Sequence, residues 1–302
     1  MSVILAIDIG GTQIKYGIVA DDGAVLHHAQ VDTPATRGGP YLMDYLCELA
    51  APLVREFAPI GIAVSSLGLI DPVTGTILGA AEAVPNYAGC SPKAALEAAF
   101  KVPVTVENDV NCVALAEGWQ GAAKGVQHFI ALTIGTGIGG GIVINGNLYR
   151  GARAAAGEWG YMRIAGKMWE RYASMSALIR AVEAATGEGN WDGKRILAEY
   201  DAKNAQICAV VAQWLDLLAT GIANLIYAFN PQRVIVGGGV SARGEPFRLE
   251  LANGIDAVLE PDFRGMTEIC LASAGNHAGM IGATRNWLLT NTPDHALQTP
   301  SF

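Results

Sequence analysis

The stretch that most constrains this chain is Leu132-Thr133-Ile134-Gly135-Thr136-Gly137-Ile138-Gly139-Gly140-Gly141-Ile142-Val143-Ile144. A β-prone run, Phe129 to Ile134, enters it. A second, Ile142 to Ile144, leaves it before an Asn145-Gly146 turn. The glycines therefore join two strands. Gly135-x-Gly137-x-x-Gly140 has the letters of the dinucleotide fingerprint, but that fingerprint needs a helix after the glycines to receive the pyrophosphate. A strand follows here, so a Rossmann site is rejected, and no G-x-x-x-x-G-K-[ST] sequence offers a Walker A loop. A glycine-rich strand–turn–strand can still hold an anion. Its backbone N–H groups come close to the ligand, and Thr133 and Thr136 add hydroxyls. The plainer alternative is a tight hairpin that needs left-handed backbone. So many glycines exceed what one turn requires, which favours the anion site.

The N-terminus repeats the pattern. Val3 to Ile9 is an apolar strand ending in Asp8-Ile9-Gly10-Gly11-Thr12, Ile14 to Ala20 follows, Asp21-Asp22-Gly23 turns the chain, and Ala24 to Val31 returns. Two such units, each with a threonine, suggest an internal duplication with two phosphate-gripping hairpins facing each other.

A length of 302 residues, 51% hydrophobic and only 16% charged, fits a compact globular protein large enough for two domains. The net charge of −8 and the lack of a basic run argue against nucleic acid as a partner. The first strand starts at Val3 without a basic leader, and no run reaches the roughly 18 apolar residues of a membrane span. A cytoplasmic location is expected. Cys47, Cys90, Cys112, Cys208 and Cys270 are odd in number, far apart and without a C-x-x-C, so free thiols are expected.

Along the chain, Leu42, Tyr45, Leu46, Leu49 and Leu53 place a helix over Tyr41 to Phe57. Pro85-Asn86-Tyr87-Ala88-Gly89 is a polar-aromatic loop before a helix from Ser91 to Phe100. After a short strand, Pro103 to Val106, comes Glu107-Asn108-Asp109, then a helix from Val110 to about Trp119. Asp109 stands where an N-cap belongs. The end of a buried strand before a helix is also where α/β proteins place chemistry, and a carboxylate there can take a proton from a substrate hydroxyl. Spacing supports capping and catalysis equally, and the two are compatible. Glu158, taken alone, reads as an acceptor for loop donors. Asn204 to Phe229 is a long apolar helix ended by Asn230-Pro231. The strand Arg233 to Val236 ends in Gly237-Gly238-Gly239, either a tight strand-to-helix turn or a close approach to a base or ribose. Glu245 to Glu260 reads as a helix, Ile269 to Ala272 as a strand and Gly275 to Leu289 as a last helix.

Asp8-Ile9-Gly10-Gly11-Thr12, Glu107-Asn108-Asp109, the 135–141 glycines, Gly157-Glu158-Trp159-Gly160-Tyr161 and Gly237-Gly238-Gly239 occur in the order and spacing of the ROK sugar kinases. The resemblance runs to about Thr284 and is strongest to bacterial glucokinases and β-glucoside kinases. It implies an α/β, actin-like ATPase (ribonuclease H-like) fold of two α/β domains with an interdomain cleft. The small domain would span residues 1–118, with a C-terminal helix 277–290 returning to it. The large domain would span 119–276, and 291–302 would be a tail. ATP, Mg²⁺, a hexose substrate and a homodimer are implied as well.

By motif position, Asp109 would be the general base for the sugar 6-hydroxyl. Asn108 and Glu158 would hold other hydroxyls, with Asn86 and Tyr161 counted beside them. Gly10, Gly11, Thr12, Thr133, Gly135, Thr136 and Gly137 would grip phosphates, Gly238 and Gly239 would line the adenosine site, and Asp8 would hold Mg²⁺ through water. The chain departs from the family where many members carry structural zinc: Tyr161 replaces the histidine ligand, and no cysteine lies between Cys112 and Cys208. No zinc site is expected. Glu170 keeps the place of a glutamate that binds hydroxyls on the C1/C2 side of a free sugar, which points to glucose. The Gly160-Tyr161-Met162 pattern and the missing zinc site look instead like β-glucoside kinases, and an N-acetylhexosamine is a third option. Relatives that are sugar-responsive repressors need a helix-turn-helix domain, for which a strand starting at Val3 leaves no room.

Overall fold

The structure, a computed structural model, describes residues 1–79 and 82–292; the tail expected beyond 292 lies outside the described residues. The chain divides into two compact units. Of the described residues, those within 1–125, 145–155 and 273–292 form one, and 126–144 with 156–272 form the other.

The first unit is built on a sheet in the order β3-β2-β1-β4-β7. Its strands are β1 (Val3–Ile9), β2 (Gln13–Ala20), β3 (Val25–Asp32), β4 (Ile62–Ser66) and β7 (Val104–Asn108), with a small hairpin of β5 (Leu69–Asp71) and β6 (Thr76–Gly79) between the last two. β1 pairs antiparallel with β2 and parallel with β4, and β4 pairs parallel with β7. The helices are α1 (Gly38–Phe57), α2 (Pro92–Phe100), α3 (Asp109–Trp119) and, at the far end of the chain, Ala278–Asn291. Helices cover both faces, so the central strands read as continuous apolar runs rather than alternating ones. Leu5, Ile7 and Ile9 pack with Leu42 and Leu46 of α1. Ile4 faces the other way, toward Cys112 of α3 and Ala283 and Trp287 of the last helix.

Register then decides what this second face carries at its end. Asp8 pairs with Ser65, and Ser65 with Glu107. Three polar residues thus form one row across the carboxyl ends of three parallel strands, where open α/β sheets bind ligands. The next row is Ile9, Ser66 and Asn108.

The second unit holds four neighbouring strands in the order β9-β8-β13-β14. Those four are β8 (Phe129–Ile134), β9 (Ile138–Ile144), β13 (Arg233–Gly237) and β14 (Glu268–Leu271); the two-residue β10 (Asn147–Leu148) precedes the short pair β11 (Arg163–Ile164) and β12 (Lys167–Met168). β8 and β9 are antiparallel, whereas β13 runs parallel to β8 and β14. Helices α4 (Glu170–Ala173), α5 (Met175–Thr186), α6 (Gly193–Asp201), α7 (Ala205–Phe229) and α8 (Glu245–Val258) complete it, and Ala278–Asn291 of the first unit is α9. α7 has the length and apolar composition of a membrane span, but Ile207, Trp214, Leu218 and Ile222 are buried in this unit's core. Asn204 caps its start through the N–H groups of Gln206 and Ile207, and Asn230, at φ 42°, ends it.

The glycine stretch differs from its sequence reading. β9 begins at Ile138, so Gly139, Gly140 and Gly141 lie inside a strand and only Gly135 to Gly137 form the turn. None of these glycines appears among the residues with positive φ. Packing explains them instead. The Trp159 indole lies where a Gly140 side chain would stand, and the Gly140 carbonyl blocks any side chain on Gly157. The glycines seat the 157–161 segment on the strand.

Candidate active site

In the first unit the site begins with the β1–β2 turn. The Gly10 N–H donates to the Gln13 carbonyl at 3.0 Å, and the Thr33 hydroxyl donates to the Gly10 carbonyl at 2.7 Å, so Gly10, Gly11 and Thr12 are held in one shape. Beside them Asp8 accepts a 2.7 Å hydrogen bond from the Ser65 hydroxyl. α9 comes against this carboxylate so closely that a side chain on Gly279 would collide with it. Burial pushes the Asp8 carboxyl above its ordinary value, opposed by the Ser65 bond and by the charge of Lys15.

The β7–α3 junction corrects the expected cap. Asn108, not Asp109, is the N-cap: its side-chain oxygen accepts from the N–H groups of Val110 at 3.0 Å and Asn111 at 3.1 Å. Its amide nitrogen donates to the Gly68 carbonyl at 3.0 Å and to Asp109 Oδ1 at 2.9 Å. All of the Asn108 side chain's hydrogen-bonding capacity is spent on the protein, so a sugar hydroxyl reaches it only by displacing one of these bonds. Asp109 is the first residue of α3, half-buried, and Oδ1 also accepts from the Val110 N–H at 2.9 Å. Its carboxylate stands at a helix N-terminus, where the dipole favours negative charge. Asn86, exposed and at φ 56°, sits one residue before Tyr87. Tyr87 is buried and its hydroxyl bonds Ser66 at 2.9 Å, which ties the loop to the end of β4.

In the second unit, Gly135, Thr136 and Gly137 turn between β8 and β9. The Gly135 carbonyl accepts from the N–H of Met175 at 2.9 Å, so the first turn of α5 abuts this turn. Register places Gly237 beside Thr133, and Gly238 follows at φ 94° against the backbone of Ile134. Nothing lies within 4 Å of where a side chain on Gly135 or Gly239 would stand. Glu170, at the start of α4, aims its carboxylate at the same turn: Oε2 accepts from the Ile138 N–H at 3.4 Å, and side chains on Gly137 or Gly160 would run into it. Glu158 is half-buried just before a 3-10 turn, Trp159–Tyr161, and Tyr161 on that turn is exposed. A cavity of about 680 Å³ opens beside Glu170 and Thr136, walled further by Arg171, Tyr172, Ser174 and Arg180. Among the described residues neither arginine has a carboxylate partner.

Burial first, and the charge of Glu170 second, raise the Glu158 carboxyl above its ordinary value. A raised carboxyl binds its proton more tightly in the folded chain than in the unfolded one. It therefore adds stability below the ordinary carboxylate range, and that contribution is lost as pH rises through the raised value. Glu158→Gln is accordingly expected to melt above the parent at neutral pH, with the gap closing as pH falls toward about 4. A gap that does not change with pH would contradict the raised value.

The donor sets can be matched to the implied groups. Asp8, a hard carboxylate beside a hydroxyl, suits Mg²⁺, which takes one or two carboxylates and completes its shell with water and phosphate. The open backbone at Gly135 and Gly239, with the hydroxyls of Thr133 and Thr136, suits a nucleotide. Among the described residues no three His, Cys, Asp or Glu side chains gather to hold a metal. Ser65, Gly279 and Arg150 had no place in the sequence reading. Ser65-Ser66 at the end of an apolar strand was a usable signal; the other two act across 271 and 43 positions, and nothing local marks them.

Comparison with known proteins gives a family and several relatives. A sequence model described as the ROK family matches residues 4–289. A β-glucoside kinase of Listeria monocytogenes is 36% identical over 297 residues, covering 94% of this chain and 97% of its own length. A glucokinase of Halalkalibacterium halodurans is 31% identical over 314 residues, covering 94% of each. The solved structure of a ROK family glucokinase from Streptomyces griseus, in complex with glucose and AMPPNP, superposes with a TM-score of 0.81 at 29% identity, over 94% of this chain and 98% of that one.

Proposed function

We infer, because the chain belongs to the ROK family of sugar kinases with its actin-like ATPase fold, that it phosphorylates the 6-hydroxyl of a glucose unit and that a β-glucoside is its preferred substrate. The observation that supports the reaction best is the junction at Asn108. The cap belongs to Asn108, so Asp109 is left as a carboxylate held at Oδ1 on the first turn of α3, two residues beyond Glu107 in the polar row of Asp8, Ser65 and Glu107.

Phosphoryl transfer asks little covalent chemistry of a protein. It needs an in-line hydroxyl, a held phosphate chain and compensation of charge. When bound, Mg·ATP would supply the phosphoryl group, and the metal would offset the charge that develops on it. Asp109 accepts the proton that the 6-hydroxyl loses. Asp8, a hard carboxylate bonded by the Ser65 hydroxyl, would hold the Mg²⁺. Gly10, Gly11 and Thr12, like Thr133, Gly135, Thr136 and Gly137, would offer backbone and hydroxyl donors to phosphate oxygens. Gly238 and Gly239 leave the adenosine room. Glu158 and Tyr161 bind hydroxyls, Asn86 is a further candidate, and Asn108 chiefly orients Asp109.

The cavity beside Glu170 supports the β-glucoside. A free hexose needs no such space, whereas a second ring or an aryl group linked at C1 would fill part of about 680 Å³. The hydroxyl of Tyr172 and the donors of Arg171 and Arg180 match the oxygens of a second sugar. The greater identity to the β-glucoside kinase, 36% against 31% for the glucokinase, points the same way. Free glucose is the second reading, favoured by the Glu170 carboxylate itself, which suits hydroxyls at C1 and C2.

A coupled ADP-release assay with Mg·ATP and glucose, cellobiose, arbutin, N-acetylglucosamine or N-acetylmannosamine separates the readings. Cellobiose or arbutin is expected to have the highest kcat/KM, by about tenfold over glucose. Glucose ahead of both would make Glu170 a C1/C2 ligand and the chain a glucokinase. Turnover with none of the five would set aside hexose phosphorylation as proposed.

A further inference from the structure

We propose that the ion pair of buried Glu107 with half-buried Arg150 is a positioning device for Asp109; the proposal rests on Asp109 being the base. Glu107 is only 2% exposed and stands two residues before Asp109. Its Oε2 takes a 2.6 Å bond from Arg150 Nε. Its Oε1 takes two more, each 2.9 Å, from the Asn108 backbone N–H and from the Asn111 side-chain amide. One carboxylate therefore grips the chain on both sides of Asp109, at the residue before it and at the residue two beyond it. The Asn108 so held is the residue that caps α3 and donates to Asp109 Oδ1.

Arg150 in turn fixes the carboxylate. Its second arm, Nη2, donates to Asn286 Oδ1 of α9 at 2.9 Å, and Asn286 is buried. The guanidinium thus spans Glu107 and α9 with its two arms, a geometry that an ammonium cannot reproduce. Arg150 arrives from the segment 145–155, 43 positions away along the chain from Glu107.

Stability alone does not account for this arrangement. β7 is already paired in the sheet, and α3 is already capped by Asn108. Apolar side chains often serve at least as well in the place of a buried charge such as that of Glu107. The cluster also leaves a cost in place, since Asn111 Oδ1 is buried without a partner among the described residues while its amide serves Glu107. A charge kept at such expense, in bonds to Asn108 and Asn111 on either side of Asp109, fits a demand for precise placement of the base, where a shift of about 1 Å costs about 10²-fold in rate.

The test uses the full chain and its best sugar from the assay above. Arg150→Met is expected to lower kcat about tenfold or more, while the sugar Kd, measured without nucleotide, stays within about twofold. Arg150→Lys is expected to recover part of the loss, because it returns the charge without the fork. Glu107→Gln keeps the acceptor oxygen and loses the charge, and is expected to lower kcat about threefold or more with the sugar Kd unchanged. If Arg150→Met does not fold, the two milder variants decide. A kcat within about twofold of the parent in folded variants, or a kcat that falls only in step with sugar affinity, overturns the proposal. If the parent phosphorylates no sugar, the reading of Asp109 fails and carries this inference with it. If the parent turns over and the variants match it, the inference alone fails.

Discussion

Asp109→Asn is expected to lower kcat by about 10²- to 10⁴-fold, with the sugar Kd within a few-fold of the parent. The substitution keeps the shape and the side-chain oxygen that accepts from the Val110 N–H and the Asn108 amide. The cap is untouched, because Asn108 and not Asp109 supplies it. Helix α3 should therefore start where it does in the parent, and the melting temperature should change little. What is lost is the basic carboxylate, and with it the proton acceptor for the attacking hydroxyl. Steady-state ADP release together with calorimetric titration of the sugar checks both halves of the expectation. Turnover within about tenfold of the parent would remove Asp109 from the role of base. A large fall in melting temperature would show instead that the carboxylate serves the helix start.

Gly238→Ala is expected to be the most damaging substitution in the glycine segments. Gly238 has φ 94° and ψ −177°, a conformation open almost only to glycine. The strained backbone costs about 1–3 kcal/mol for any other residue. A methyl group there would also meet the carbonyl oxygen, carbon and nitrogen of Ile134. These are backbone atoms of a buried strand held on both sides, by β9 and by β13, so they cannot move aside. Overpacking adds about 1–3 kcal/mol more. A fall in melting temperature of roughly 5 °C or more is expected. ATP affinity is expected to drop about tenfold, since the strand end that we propose lines the adenosine site must shift. Differential scanning fluorimetry with and without Mg·ATP reads both. A variant with the parent's melting temperature and the parent's shift on adding nucleotide would contradict this account of Gly238.

Both predictions draw on residues that the linear sequence singled out, but the reasons came from different levels. The paired strand–glycine turn–strand segments, the order of the five motifs and the helices flagged by 3.6-residue periodicity were legible, because each depends on neighbours within a few positions along the chain. The 205–229 helix, with asparagines at both ends, is the clearest such case. The carboxylate of Asp109 at a strand–helix boundary was legible for the same reason.

Tertiary structure decided the rest. Asn108 takes the cap, and its amide donates to the carbonyl of Gly68, forty positions away. Glycines 139 to 141 read as turn residues, yet they lie in a strand, and Gly140 makes room for Trp159. Asp8, Ser65 and Glu107 look unrelated in sequence and become one row only when three parallel strands fall into register. Arg150 had no local signal at all, since its meaning lies in a buried carboxylate and an asparagine on α9. Local propensity and motif spacing suffice to say which elements form and which chemistry they carry. Which side chains meet, and which glycines are needed for space rather than for bending, depends on contacts between residues far apart in the chain, and only the folded structure supplies those.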